Sequence, residues 1–242
     1  ITFDDGYADN YAVALPVLQH FGLHATFFVA AGFLDGGCMF NDLVIEACRQ
    51  APAGAWDTGL AAVGRVQVPD GPGRVPLANQ LIGRLKYLAA AERLDAAVRL
   101  LHAAGARQPD HLMMTSDEVR GLHRAGMGIG GHTLSHPILA RLAPDEAARE
   151  ISAGRSALED LLGAPVPLFA YPNGKPGADY LPRDVGLVRA AGFDAAVTTV
   201  WASATRNGEP YEMPRIGSWD RSRERFCARL LRCYRQPLGP PA

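Results

Sequence analysis

The chain has 242 residues and a mass of 25.9 kDa, with 24 basic against 25 acidic residues and a pI near 6.7. That balance leaves no global field to attract nucleic acid or an anionic membrane, so no polyanionic partner is indicated. No apolar run approaches the roughly 18 residues of a membrane span, and Cys38, Cys48, Cys227 and Cys233 lack the spacing of a zinc ribbon or redox pair, so no disulfide framework is supported.

One domain is the default at this length. No Met precedes Ile1, and the chain opens on a short apolar run, Ile1-Thr2-Phe3, ending in Asp4-Asp5-Gly6. It therefore reads as an N-terminally truncated piece of a longer protein, and its compartment stays open. After this opening strand, Tyr11 to Phe21 has the broad apolar face of a helix, which Gly22 is placed to stop. Ala25 to Ala30 is aromatic and β-branched, suited to a strand buried on both faces. Strand, helix and strand in succession predict a parallel βαβ unit.

Residues 36–110 break this rhythm, with Gly/Pro-rich stretches between helical runs at about 41–50 and 78–104. They read as a helical insertion within one domain. The alternation then resumes. Thr115 or Ser116 caps a helix through Arg124, Met127 to Gly130 is a strand, and a long helix runs from about Pro144 to Leu162 with Asp145 and Glu146 at its positive end. A strand at Pro167 to Tyr171, a helix near Asp184 to Ala191, strands at Ala195 to Thr199 and Met213 to Ile216, and a helix from about Ser222 to Leu231 complete the series. Such alternation predicts a parallel sheet or barrel, and a partial TIM-like barrel fits the length.

Two adjacent carboxylates need a cation or water to offset their repulsion. A regular strand would point Asp4 and Asp5 to opposite faces, whereas a strand-end turn using a positive φ at Gly6 lets both reach one cleft. Gly130-Gly131-His132-Thr133-Leu134-Ser135-His136-Pro137 also follows a predicted strand directly, and its two histidines have a metal-ligand spacing. One carboxylate and two imidazoles would bind a divalent cation and leave the other carboxylate to act as a base. The remaining histidines, His20, His24, His102, His111 and His123, lie on predicted helices or their borders and receive no role. Phe169-Ala170-Tyr171-Pro172-Asn173-Gly174 closes another strand with a turn able to present a backbone N–H inward. Met213-Pro214-Arg215-Ile216 brings a cation to a further strand.

Thr2-Phe3-Asp4-Asp5-Gly6, then His132-Thr133-x-x-His136, then Tyr171-Pro172-Asn173-Gly174 follow one another as in the polysaccharide deacetylases with a NodB-type domain, the fourth family of carbohydrate esterases, which the chain resembles outside 36–110. The resemblance implies a distorted (β/α) barrel of about seven strands, TIM-like in layout. It also implies metal-dependent removal of N-acetyl groups from an acetylated aminosugar polysaccharide or oligosaccharide. Asp4 then takes the place of the general base, and Asp5, His132 and His136 that of the ligands to a divalent metal, usually zinc. A backbone N–H near Asn173 would serve the oxyanion. Tyr171, Pro172 and Trp219, which follow motif strands, are the candidates for contact with the sugar.

This chain departs from the family pattern twice. Many members carry an Arg in the third motif where Ala170 stands here, and Arg215 is the candidate to supply that charge from a neighbouring strand. Many members also carry a late histidine as general acid, and no histidine follows His136. Either Asp4 serves as both base and acid, or the acid lies outside this sequence, or activity is impaired. The Phe-Ala-Tyr-Pro-Asn-Gly form resembles the branch associated with bacterial exopolysaccharide gene clusters, leaving cytoplasm and cell envelope both open. A same-fold hydrolase of a non-sugar amide and a carbohydrate-binding protein that has lost catalysis are the alternatives, since fold alone does not fix substrate.

Overall fold

The computed structural model describes residues 1–218 and 220–235, divided into two compact units, Ile1–Leu34 with Met114 onward and Asp35–Met113. In chain order the elements are β1 (Thr2–Phe3), α1 (Leu15–His20), β2 (Thr26–Val29), α2 (Phe40–Gln50), β3 (Gly54–Asp57), β4 (Arg65–Val68), α3 (Arg74–Leu85) and α4 (Ala90–Ala103). They continue with α5 (Ser116–Arg124), β5 (Gly128–Gly131), α6 (Pro144–Leu162), β6 (Leu168–Ala170), α7 (Pro182–Ala190), β7 (Ala195–Val197) and α8 (Arg223–Arg235).

The first unit is an open (β/α) half-barrel around a parallel sheet ordered β1-β2-β5-β6-β7. Its register is carried by apolar side chains: Phe3 lies opposite Phe27 with their rings stacked at 4.9 Å, and Phe27 lies opposite Ile129. Phe27, Val29 and Phe169 are fully buried with Leu122 of α5, Ile151 and Leu158 of α6 and Val188 of α7. The amphipathic faces of the helices thus close over the sheet, and burial of each such side chain contributes about 1.5–3 kcal/mol.

Local signals explain the helix ends. Thr115 Oγ1 accepts from Glu118 N at 3.2 Å while Glu118 Oε2 accepts from Thr115 N at 2.7 Å, a reciprocal capping box that starts α5. Gly163 stops α6 in the left-handed region at φ 62°. The first predicted helix is shorter than expected. Asn10–Ala14 forms a π-helical turn before α1, where the ring and missing N–H of Pro16 disfavour regular α-helical bonding.

The sheet has five strands among the described residues, fewer than the seven or so expected from the resemblance. Met213–Ile216 is the segment that falls short, reduced to one parallel bridge between Val197 and Met213. Beyond it the register is lost: Thr198 O, which a continuing ladder would offer to Arg215 N, is taken by Arg215 Nε instead. Even so, the segment stays beside β7 through Thr198 N to Met213 O and Arg215 N to Val200 O, both 2.9 Å.

The second unit has its own core, in which Val44 and Ala47 of α2, Leu81 and Leu85 of α3 and Ala97 and Leu100 of α4 are buried. The helix predicted over 78–104 is broken into α3 and α4, with Ala89 extended between them. Both pieces turn an apolar face to the same core, which a single straight helix could not do in so small a unit. The antiparallel hairpin β3–β4, absent from the sequence reading, places Trp56 and Val68 in this core.

One packing contact in the first unit yields a test. A Cβ on Gly154 of α6 would lie 2.5 Å from the Thr133 carbonyl carbon and 2.8 Å from Leu134 N. Helix propensity alone favours Ala over Gly by about 1 kcal/mol, but a backbone clash of this kind costs about 1–3 kcal/mol. Gly154→Ala is therefore expected to lower the denaturant midpoint, and a stabilised variant would refute the close approach.

Candidate functional site

The parallel register aligns the C-terminal ends of the strands, where open α/β sheets place their ligands. Phe3 pairs with Phe27 and Val29 with Gly131, so the residues following β1 and β5 emerge together although they are far apart in sequence. Ala30 N donates to Asp5 O at 3.2 Å and His132 N to Val29 O at 3.2 Å, prolonging the ladder to the site itself.

The backbone then turns sharply. Asp5 has φ 77° and Gly6 φ 95°, so the left-handed step begins on the aspartate and not only on the glycine. Thr133 (φ 64°), His136 (φ 53°) and Asn173 (φ 60°) are also left-handed. Non-glycine residues in this region cost about 1–3 kcal/mol each and persist only when their surroundings over-determine them. The loop bonds supply that constraint: Thr133 Oγ1 donates to His132 O at 2.5 Å and accepts from His136 N at 3.0 Å.

These turns send Asp4 and Asp5 to different partners. Asp5 Oδ1 lies 3.3 Å from His132 Nε2 and 3.3 Å from His136 Nε2, with the imidazole centroids 4.8 Å apart. His132 is buried, and its Nδ1 donates to Ala170 O at 2.7 Å. Since a carbonyl only accepts, a proton sits on Nδ1, and Nε2 faces Asp5 as a donor when the ring is protonated and as a lone pair when it is neutral. The three side chains thus present ligand atoms within 4.8 Å of one another, a group able to hold a metal ion.

Asp4 faces Arg215 across 211 residues of sequence, with Nη1–Oδ1 at 2.7 Å and Nη2–Oδ2 at 2.6 Å. This bidentate fork fixes the carboxylate plane. The guanidinium is itself held by Nε to Thr198 O at 2.9 Å and Nη1 to Thr2 Oγ1 at 3.0 Å, and lies 5.8 Å from the centroid of the Phe28 ring.

The third motif contributes backbone. The N–H groups of Tyr171, Gly174 and Lys175 donate to Val197 O, Pro172 O and Asp179 Oδ2, and Pro172 has none. Asn173 N–H donates to no described residue. Gly174 is required because a Cβ there would meet Thr199 N at 2.8 Å in a φ of 69°, while Thr199 Oγ1 donates to Asn173 O at 2.7 Å.

The expected sugar contacts need correction. Tyr171 is fully buried, stacked on Tyr180 at 3.9 Å with its hydroxyl donating to Tyr211 O, so its ring belongs to the core and is closed to a pyranose. Pro172 is also buried, and Trp219 lies outside the described residues. The sequence reading missed Glu150, whose carboxylate binds the loop between the two histidines; the only signal was a glutamate on the helix that follows them.

The family model described as Polysaccharide deacetylase matches residues 1–57 and 89–196. The chain belongs to the polysaccharide deacetylase family. Among its relatives is YxkH of Bacillus subtilis (strain 168), which carries the polysaccharide deacetylase name and is 20% identical over 216 residues, covering 89% of this chain and 50% of YxkH. The chain thus spans about half the length of this curated relative. Streptococcus pyogenes deacetylase PplD, solved in complex with acetate, has a TM-score of 0.54 at 19% identity, over 89% of this chain and 62% of that one. IcaB from Ammonifex degensii has a TM-score of 0.54 at 18% identity, over 94% and 69%. At these identities the solved structures establish a shared fold.

Electrostatics yield a test of the Asp5–His132 pair. Burial pushes the Asp5 carboxyl up, but the His132 hydrogen bond and the charges of His132, His136 and Arg215 outweigh it and hold the group below its ordinary 3.8. Burial pushes His132 down from its ordinary 6.5, and the Asp5 hydrogen bond, the Asp4 and Asp5 charges and the Ala170 carbonyl outweigh that and leave it raised. The histidine contribution to stability is complete below 6.5 and is lost as pH rises through the raised value. The aspartate contribution is present above 3.8 and is lost as pH falls through the lowered value. In chelator-treated protein, the stability advantage of wild type over Asp5→Asn should be greatest between 3.8 and 6.5 and decline on both sides. Denaturant midpoints across pH measure this, and an advantage that grows above neutrality would contradict it.

Proposed function

We propose that the chain hydrolyses N-acetyl groups of an aminosugar polysaccharide or oligosaccharide, releasing acetate, and does so with a divalent cation at Asp5, His132 and His136. The observation that carries this reading is the separation of the adjacent aspartates, one against two imidazoles and the other on an arginine fork. Membership of the polysaccharide deacetylase family supports the reaction class.

The donor set fits a catalytic zinc, for which one carboxylate and two imidazoles leave a position open. With both imidazoles neutral, one oxygen of Asp5 and a ring nitrogen of each histidine are ligand atoms within 4.8 Å of one another, a set that a cation can join. When bound, such an ion polarises a carbonyl and makes a water acidic near neutral pH.

The chain's own groups then have separate tasks. His132 is kept in one tautomer and orientation by Ala170 O. Asp4 accepts a proton from the attacking water as the new C–O bond forms at the acetamide carbon. Arg215 occupies one lone-pair direction on each Asp4 oxygen, leaving the others for that proton. The Asn173 N–H is the donor for the oxyanion. As the C–N bond breaks, Asp4 passes its proton to the departing amine, so water ends divided between acetate and the free amino group. The form of Phe169–Gly174 supports an exopolysaccharide as the polymer, and one carboxylate with two imidazoles supports zinc as the ion.

Acetate release from N-acetylglucosamine oligomers tests the proposal. Metal-loaded wild type should release acetate, and a chelator should abolish release reversibly. Asp4→Asn should keep the metal and lose about 10²–10⁴-fold in rate. A metal-loaded protein containing the whole natural chain that binds these sugars yet releases no acetate would replace the enzyme reading with a carbohydrate-binding one.

A further inference from the structure

The histidine loop depends on a side chain that neither motif contains. From His132 to His136 the backbone carries two left-handed residues, Thr133 and His136. Leu134 N donates to Glu150 Oε2 at 3.1 Å and to the Glu150 carbonyl at 3.0 Å. Ser135 N donates to the same Oε2 at 2.8 Å, and Ser135 Oγ donates to Oε1 at 2.7 Å. Among the described residues the Glu150 carboxylate bonds to this loop alone.

Glu150 lies on α6, one helical turn before Gly154, and residues four apart share a helix face. Gly154 is the position whose missing side chain lets the Thr133 carbonyl approach. The same face of α6 therefore presses on the loop at Thr133 and binds it at Leu134 and Ser135. Gly32 N also donates to Leu134 O at 2.8 Å, and a Cβ on Gly32 would lie 2.7 Å from that oxygen. The tip of the loop is thereby clamped through both donors and acceptor, with the two imidazoles projecting from its ends.

We infer that Glu150 is the positioning residue of the site, holding the His132–His136 loop in the left-handed conformation that brings both Nε2 atoms to Asp5. This deepens the metal-site reading above and rests on it for its functional consequence. The carboxylate acts through geometry, since its bonds go to two neutral amides and a hydroxyl. A glutamine can reproduce them: its amide oxygen accepts from both N–H groups and its NH₂ donates to Ser135 Oγ. An aspartate keeps the charge but is one methylene too short.

The test compares Glu150→Ala, Glu150→Asp and Glu150→Gln with wild type by three measurements. These are Co²⁺ affinity from visible absorption, hydrogen exchange of the Leu134 and Ser135 amides in chelator-treated protein, and global denaturation. Glu150→Ala and Glu150→Asp should bind Co²⁺ about 10–100-fold more weakly and exchange the two amides faster than their global stability requires. Glu150→Gln should stay close to wild type in both. Unchanged affinity and exchange in the alanine and aspartate variants would overturn the assignment, as would a glutamine variant as impaired as alanine. If Glu150→Ala does not fold, the aspartate and glutamine pair decides. Wild type that binds no Co²⁺ would sink the metal-site reading, while the exchange data would still support or overturn the role of Glu150 in holding the loop.

Discussion

Neighbouring aspartates repel each other, and the site depends on how the backbone separates them. A left-handed Asp5 sends its carboxylate to two imidazoles and leaves Asp4 facing Arg215. Had the strand continued in extended form, alternation would have placed one of the two on the far face of the sheet. The separation also divides their environments. Asp5 meets two imidazole nitrogens, and Asp4 meets a permanent cation in fork geometry. Two identical side chains thus acquire different chemistry from one dihedral angle.

That dihedral angle is costly, and the surrounding structure offsets it. Gly6 N donates to Asp4 O at 3.0 Å and Met114 N to Gly6 O at 2.9 Å, fixing the turn from both sides. Thr133 and His136 are held by the Thr133 hydroxyl and by Glu150, and Asn173 by Thr199. Each strained residue therefore has a neighbour whose hydrogen bond selects its conformation. The parallel sheet below supplies the common level from which the loops start, through a register set by Phe3, Phe27 and Ile129.

What could be read from the sequence follows from how local each signal is. Asp4, Asp5, His132 and His136 stood out because their chemistry lies at strand ends that short-range pattern already marks. The boundaries of α6 were legible for the same reason, with Pro144 at its start and Gly163 at its stop. Tyr171 was misread as a sugar-facing ring because an aromatic after a strand looks alike whether its ring turns out or stacks on Tyr180. Glu150 could not be read at all: a glutamate on a long amphipathic helix is ordinarily a solvated residue, and its partners are loop amides that carry no sequence signature. The split of the helix predicted over 78–104 escaped because both halves have good helical periodicity, and only their common core in the second unit requires the break.

The cation on Asp4 in this chain is Arg215. Ala170 stands where the resemblance places an arginine in many relatives, and the packing there leaves little room for one. Ala170 is fully buried in a small cluster with Phe28 and Val197, and its carbonyl is already taken by His132 Nδ1. A long cation at that point would have to displace this cluster. Arg215 avoids this by approaching from beside β7, bracing its Nε on Thr198 O and lying over Phe28. The single bridge from Val197 to Met213 anchors the segment, and beyond it Arg215 Nε takes the Thr198 carbonyl that a continuing ladder would use. The same loss of register that shortens the sheet places the Arg215 guanidinium against Thr198 O and the Asp4 carboxylate.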